Sequence, residues 1–223
     1  MSNENSLANL EPEAGVERVE VAVTRKTAEH LITFIGDQRR RALHESGHLV
    51  LANVLGLRAT EVDIKGRDSA FTCVSIGDDD EPEGISASEM VARIIVCFAG
   101  METDRLVLGE HNTGSRRDVA HATELAVDRF ACGMHDGFVA VAISEFYSST
   151  PPDVIREMQG ESVLATLAEA RGRAAELVFQ HRSTIEALAR IVATERRLTD
   201  EALNAALIQV GLTPVGLRGH EQA

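Results

Sequence analysis

Residues 41–50, Arg-Ala-Leu-His-Glu-Ser-Gly-His-Leu-Val, carry an H-E-x-x-H pattern at His44, Glu45 and His48, and no other stretch of the 223 residues restricts the fold as tightly. The pattern has chemical meaning on a helix. With about 3.6 residues per turn and a rise of about 1.5 Å, positions four apart project from one face and can grip one ion. Zinc suits two imidazoles at that spacing. Glu45, one step round from His44, leans over the ion, where it can take a proton from a water that the metal acidifies. That is the equipment of metal-assisted hydrolysis.

Local signals agree with a helix there. Gly36-Asp37 offers an N-cap, apolar residues follow at Leu43, Leu49, Val50, Leu51, Val54 and Leu55, and Gly56 stands where a C-cap glycine would. Gly47 inside that helix costs about 1 kcal/mol relative to Ala, which predicts a packing or access reason for bare backbone beside the metal. The bland alternative is that His44 and His48 are ordinary core or surface histidines, because H-E-x-x-H also arises by chance. A catalytic zinc further needs a third protein ligand, with the fourth position left to water. By type and position the candidates are Asp104, His111, Asp118 and His121. A third histidine six residues beyond the second is excluded, since Val54 stands there. For Asp118 a structural role competes, because Ser115 followed by an acid three residues later is also a helix-capping arrangement.

Composition narrows the partners. The 35 acidic against 22 basic residues give a net charge of -13, which argues against nucleic acid and against anionic lipid and leaves polypeptides or small molecules. Cys73, Cys97 and Cys132 are odd in number and form no C-x-x-C pair, so neither a disulfide framework nor a Cys-rich zinc knuckle is expected, and a reducing cytoplasm fits. Met1–Ser6 shows no basic segment leading into an apolar one, so no signal peptide is expected. The most apolar windows, 91–100 and 138–143, fall far short of the ~20 residues of a membrane span.

Along the chain, residues 1–34 read as a polar tail holding a short strand at Val19–Thr24 and a short helix at Lys26–Phe34. A domain follows over 35–212. Thr60–Lys65 alternates, with Val62 and Ile64 inward, and pairs with Phe71–Ile76 in a hairpin whose edge could receive an extended chain. Residues 77–84 form an acidic loop. Ser86 opens a capping-box helix with Met90, Val91, Ile94, Ile95, Phe98 and Met101 on its apolar side, closing near Gly109. A polar turn at 112–118 runs into a helix ending at Gly133. Residues 138–150 read as a loop or hairpin beside the site. Three further helices run from Asp153 or Glu161 to His181, from Ser183 with Glu186 completing a capping box, and from Thr199 to Val210. Residues 213–223 form a loose tail. The predicted class is α+β, predominantly α-helical, with a small sheet beside the active-site helix. No G-x-x-x-x-G-K-[ST] loop occurs, so nucleotide hydrolysis is not encoded in these residues.

Four segments in order, His44-Glu-Ser-Gly-His48, Phe98-Ala-Gly-Met-Glu-Thr-Asp-Arg105, Asn112 to Thr123 and Cys132-Gly-Met134, resemble the peptidase domain of FtsH-type membrane AAA proteases. The resemblance covers roughly 35–211 and includes Glu195–Glu201, similar to that family's closing segment. It implies that His44 and His48 are zinc ligands, that Glu45 is the general base and that Asp118 is the third ligand. It also implies that Asp104, behind the site, orients a ligand histidine, and that the edge of the 60–76 hairpin aligns the substrate. The sequence departs from the family pattern at Met101 and Glu102, at Asp104 where Glu is usual, and at His135 where Ser is common. That family's AAA ATPase module and membrane helices are not among these residues, so a stand-alone chain is expected to take peptides or unfolded segments, or to work with a separate AAA ATPase. Assembly of copies into a ring, as in the relatives, is left open. The reading is a zinc metalloendopeptidase. Its rivals are a non-catalytic or regulatory zinc-binding protein with a peptidase fold, and a zinc hydrolase of a small amide.

Overall fold

The computed structural model describes residues 25–66, 70–74, 84–134 and 153–216, with side chains described over 36–66, 70–72, 84–134 and 160–216. Within these, helix α1 (Arg25–Val54) leads into strands β1 (Ala59–Asp63) and β2 (Phe71–Val74), followed by α2 (Ala87–Leu108), a 3-10 turn (Thr113–Ser115) and α3 (Arg116–Ala131). Helices α4 (Asp153–Gln180) and α5 (Arg182–Glu195), strand β3 (Arg197–Thr199) and α6 (Asp200–Gln209) complete the described chain. The expected α+β, mainly helical class is what is found.

Helix α2 is the axis of the molecule. Every residue from Ile94 to Asp104 is buried, a pattern that a helix adopts when other elements cover all its sides. Helices α1, α3 and α4 supply that cover, and α5 packs on the far side of α1. Leu49, Leu51 and Ile94 lie in the common core at 0% exposure, where truncation to Ala costs about 2–5 kcal/mol. Close approach of α1 and α2 depends on two glycines. A Cβ on Gly47 would overlap Thr103 Oγ1 and press on the Ala99 carbonyl, and a Cβ on Gly100 would overlap the rings of His44 and His48. The packing reason anticipated for Gly47 is therefore contact with α2.

The sheet has strand order β2-β1-β3, antiparallel throughout. Val62 pairs with Thr72 on one side and Leu198 on the other, and Val62, Ile64 and Leu198 are buried, in keeping with the alternation. Among the described residues β2 has a neighbour on one side and is an edge strand.

Three local expectations are revised. Gly36-Asp37 does not start a helix: α1 runs unbroken from Arg25, so the short helix at 26–34 and the H-E-x-x-H helix are one element. Gly36 is exposed, and a Cβ there would meet nothing within 4 Å, so it costs only the intrinsic penalty of about 1 kcal/mol and does not break the helix. Helix α5 begins at Arg182 without a side-chain cap, and Glu186 instead accepts from Arg182 Nε at 2.8 Å. Residues 197–199 form β3, three residues being too few for any periodicity to announce. Elsewhere, Ser86 caps α2 by accepting from the Glu89 N–H at 3.2 Å, and Gly109 closes it at φ 84°. The tail's start is tethered, with Asn53 Nδ2 donating to the Thr213 carbonyl at 3.1 Å and Pro214 buried. The strand at 19–24, the acidic loop and the 138–150 segment lie outside the described residues.

Candidate metal centre

His44, Glu45 and His48 sit in the buried half of α1, beside Gly100 of α2. The His48 Nδ1–H donates to the Val96 carbonyl at 2.7 Å. That bond fixes the tautomer and leaves the Nε2 lone pair directed outward. His44 presents Nδ1 to Asp104 Oδ2 at 3.3 Å and Nε2 to Asp118 Oδ2 at 3.2 Å. From His48 Nε2 to the same Asp118 oxygen is 3.8 Å. One ligand atom from each of His44, His48 and Asp118 lies within 4.8 Å of the others.

A tetrahedral site with ligand distances of about 2.0–2.2 Å has edges of about 3.4 Å. The separations of 3.2 and 3.8 Å bracket that value. The Gly100 position adds a second observation, since any side chain there would fill the space beside the two Nε2 atoms. Two imidazoles and one carboxylate form a donor set suited to zinc, and the residues fit the ion.

Asp118 occupies the first turn of α3, where a capping role was the competing reading. Ser115 makes no side-chain cap bond, and the preceding turn is capped instead by Asn112 Oδ1, which accepts from the Gly114 N–H at 2.7 Å. The Asp118 carboxylate turns toward the two histidines. Of the other candidates, Asp104 is 1% exposed and touches the rear nitrogen of His44, so it stands behind the cluster. His121 lines the groove but is largely exposed, 3.7 Å from Glu124, and His111 is exposed and does not line the groove.

Burial alone would lower the pKa of His44, but hydrogen bonds to Asp104 and Asp118, with the charge of Glu45, outweigh it and raise the pKa to about 10. Burial pushes Asp118 upward, yet its bond to His44 and the nearby histidines hold it below the usual carboxylate range. Metal-free, the cluster is thus an imidazolium clasped by carboxylates. Cys97, on the groove wall, is pushed up to about 12 by burial and by Asp118, so it is a protonated thiol without nucleophilic character.

Glu45 is 5% exposed. Its Oε2 accepts from Thr72 Oγ1 at 2.7 Å, which ties the carboxylate to edge strand β2. His44, Glu45, His48, Thr72 and Asp118 all line one open groove of about 830 Å³. Neither Thr72 nor Gly100 was singled out from sequence, because their importance arises from contacts between elements far apart in the chain.

The family model for peptidase family M41 matches residues 34–206. The chain belongs to this family. Similar proteins include the ATP-dependent zinc metalloprotease FTSH 9, chloroplastic/mitochondrial, of Oryza sativa subsp. japonica, 34% identical over 171 residues that make up 73% of this chain and 21% of that protein. FTSH 11, chloroplastic/mitochondrial, of Arabidopsis thaliana is 29% identical over 209 residues, 91% of this chain and 25% of that protein. ATP-dependent zinc metalloprotease FtsH 2 of Symbiobacterium thermophilum is 27% identical over 157 residues, 67% and 25% respectively. The M41 chain thus spans about a fifth to a quarter of the length of these relatives. Among its described residues no helix is long and apolar enough to cross a membrane.

Proposed function

We propose that the chain is a zinc metalloendopeptidase that hydrolyses peptide bonds in unfolded or peptide substrates. The observation that carries this reading is the convergence of one ligand atom each from His44, His48 and Asp118 within 4.8 Å in the groove that also holds Glu45. His44, His48 and Asp118 would hold the ion. Zinc, when bound, supplies Lewis acidity toward a carbonyl oxygen and acidifies water toward a pKa of about 7. Glu45 accepts the proton of the attacking water and returns it to the leaving amine. Thr72 aims that carboxylate through its hydroxyl and, being on an edge strand, sits where an extended chain could add to the sheet. Asp104 orients His44 from behind.

The named relatives are called ATP-dependent, and no phosphate-binding loop occurs in these 223 residues. For folded substrates the proposal includes work with an AAA ATPase, in keeping with the ATP-dependence in those relatives' names, whereas unfolded segments need none. The unpaired Cys97 and Cys132 support a reducing compartment such as the cytoplasm. The test is cleavage of casein by the purified zinc-loaded chain beside Glu45→Gln. Wild type is expected to cleave, and Glu45→Gln to keep one zinc per chain and lose activity by about 10³-fold or more. Equal proteolysis by both would sink the mechanism. Zinc binding without cleavage of any unfolded substrate would favour the regulatory reading.

A further inference from the structure

The groove is richer in arginine than the chain around it, although Arg93 is paired with Glu89 at 2.7 Å and Arg40 with Glu110. Arg40, Arg41, Arg93, Arg116 and Arg117 line it in a protein of net charge -13. Its acidic members are Asp37, Glu45, Asp104 and Asp118. Three of these are committed, Glu45 to Thr72 and the two aspartates to the histidines. A bound divalent ion shifts the balance further toward positive.

Arg116 and Arg117 stand out among these arginines. Both are exposed, both directly precede Asp118, and neither makes an ion pair or side-chain hydrogen bond among the described residues. They also lie in the first turn of the sixteen-residue α3, whose N-terminal dipole adds to their field. Across the groove, Arg40 lies one turn before His44 on α1 and is half-buried, 3.3 Å from the exposed Glu110. One helical turn is about 5.4 Å and an extended peptide rises about 3.3 Å per residue, so these guanidinium groups reach side chains within about three residues of a bond lying over the metal.

We infer that the groove selects acidic peptides, with the Arg116-Arg117 pair as its specificity-determining residues. The inference rests on the proposed peptidase reading. Unpaired guanidinium groups beside a groove give up no ion pair within the protein when they turn onto a ligand carboxylate, and they repel cationic segments. The chain's own negative surface repels acidic polypeptides at long range, so this local field decides which anionic segments can settle.

The test uses three quenched fluorescent peptides of equal length, acetylated and amidated so that no chain end supplies a charge, with Glu, Gln or Lys flanking the cleaved bond. For the zinc-loaded wild type, kcat/KM is expected to favour the Glu peptide over the Lys peptide by roughly tenfold or more at about 50 mM salt and to level at about 0.5 M. In Arg116→Gln/Arg117→Gln that ratio is expected to fall toward one. A parallel arm measures anisotropy of the labelled peptides on zinc-loaded Glu45→Gln, which reads binding without hydrolysis. Selective binding of the Glu peptide with no cleavage by wild type would uphold this inference and overturn the peptidase reading. Cleavage indifferent to flanking charge, or a preference that survives the double substitution, would overturn the inference and leave the peptidase reading standing.

Discussion

Glu102 and Asp104 lie two residues apart on α2, each 1% exposed, and they face different worlds. Glu102 looks toward α4, accepting from Arg105 Nε at 2.6 Å and from Arg171 Nε at 2.7 Å. Asp104 looks toward α1, where its Oδ2 meets His44, while its Oδ1 has no hydrogen-bond partner among the described residues. On one face a carboxylate is neutralised by two permanent cations, which are themselves half-exposed and easily solvated. On the other it depends on a ring that can lose its proton or bind a metal. A buried charge satisfied by fixed charge holds helices together; a buried charge whose partner is titratable is a candidate for chemistry. The same helix does both, one face to each neighbour.

The largest effect that separates the two faces comes from Gly100→Ala. A methyl group there would overlap Nε2 of His44 and His48, so loss of stoichiometric zinc and of proteolysis by about 10²-fold or more is expected, although Ala is the better helix former by about 1 kcal/mol. Metal analysis of the purified variant decides it, and one tightly held zinc per chain would contradict the packing described. Asp104→Asn comes next. It keeps the shape and removes the charge behind His44, and metal affinity should weaken about 10- to 100-fold, read by competition with a chromophoric chelator. A weakening below about threefold would mean that Asp104 is mere filling.

Glu102→Gln inverts the pattern. Arg105 and Arg171 can turn to solvent, so the cost should be about 1–3 kcal/mol in denaturant unfolding with zinc affinity unaltered. Should zinc affinity fall instead, the two faces of α2 would not be independent, and the division drawn above would fail.

How much of this was legible beforehand differs between the faces in the same way. The metal face is built on repeats of local spacing: His44 and His48 four apart on α1, and Asp118 in the first turn of α3, so the residues that now sit together could be named individually from chemistry and from resemblance. Their assembly could not, since Asp118 approaches His44 across 74 residues. Thr72 shows the limit more sharply. On β2 it reads as ordinary strand content, and only the lie of β2 along α1 places its hydroxyl on Glu45. Glu102 stands out in the sequence as a departure from the family pattern, yet its partner Arg171 lies 69 residues away on α4 with nothing in the sequence to pair them. Helix α1 extends beyond its apparent sequence start for a related reason: Gly36-Asp37 has the composition of a start, and composition does not say whether the preceding turn is helical too.

The smallest expected effect is one proton, and it distinguishes the two carboxylates without any mutation of a ligand. Without metal, His44 titrates near 10 against an ordinary 6.5. Its folded pKa is raised, so the stability it contributes is fully present below about 6.5, declines as pH rises, and is lost above about 10. With His44 as the zinc ligand proposed, its ring must be neutral to bind, so zinc uptake near pH 7 is expected to expel that proton and apparent affinity to climb about tenfold per pH unit until the ring deprotonates unaided. Calorimetric titration of zinc into the metal-free chain, in two buffers of different ionisation enthalpy, is expected to show release of about one proton from the protein. Removing the charge of Asp104 removes one of the bonds that hold the proton, so Asp104→Asn should release less at the same pH, whereas Glu102→Gln should match wild type. Release near zero for wild type would mean that the ring is already neutral and that Asp104 and Asp118 do not clasp an imidazolium.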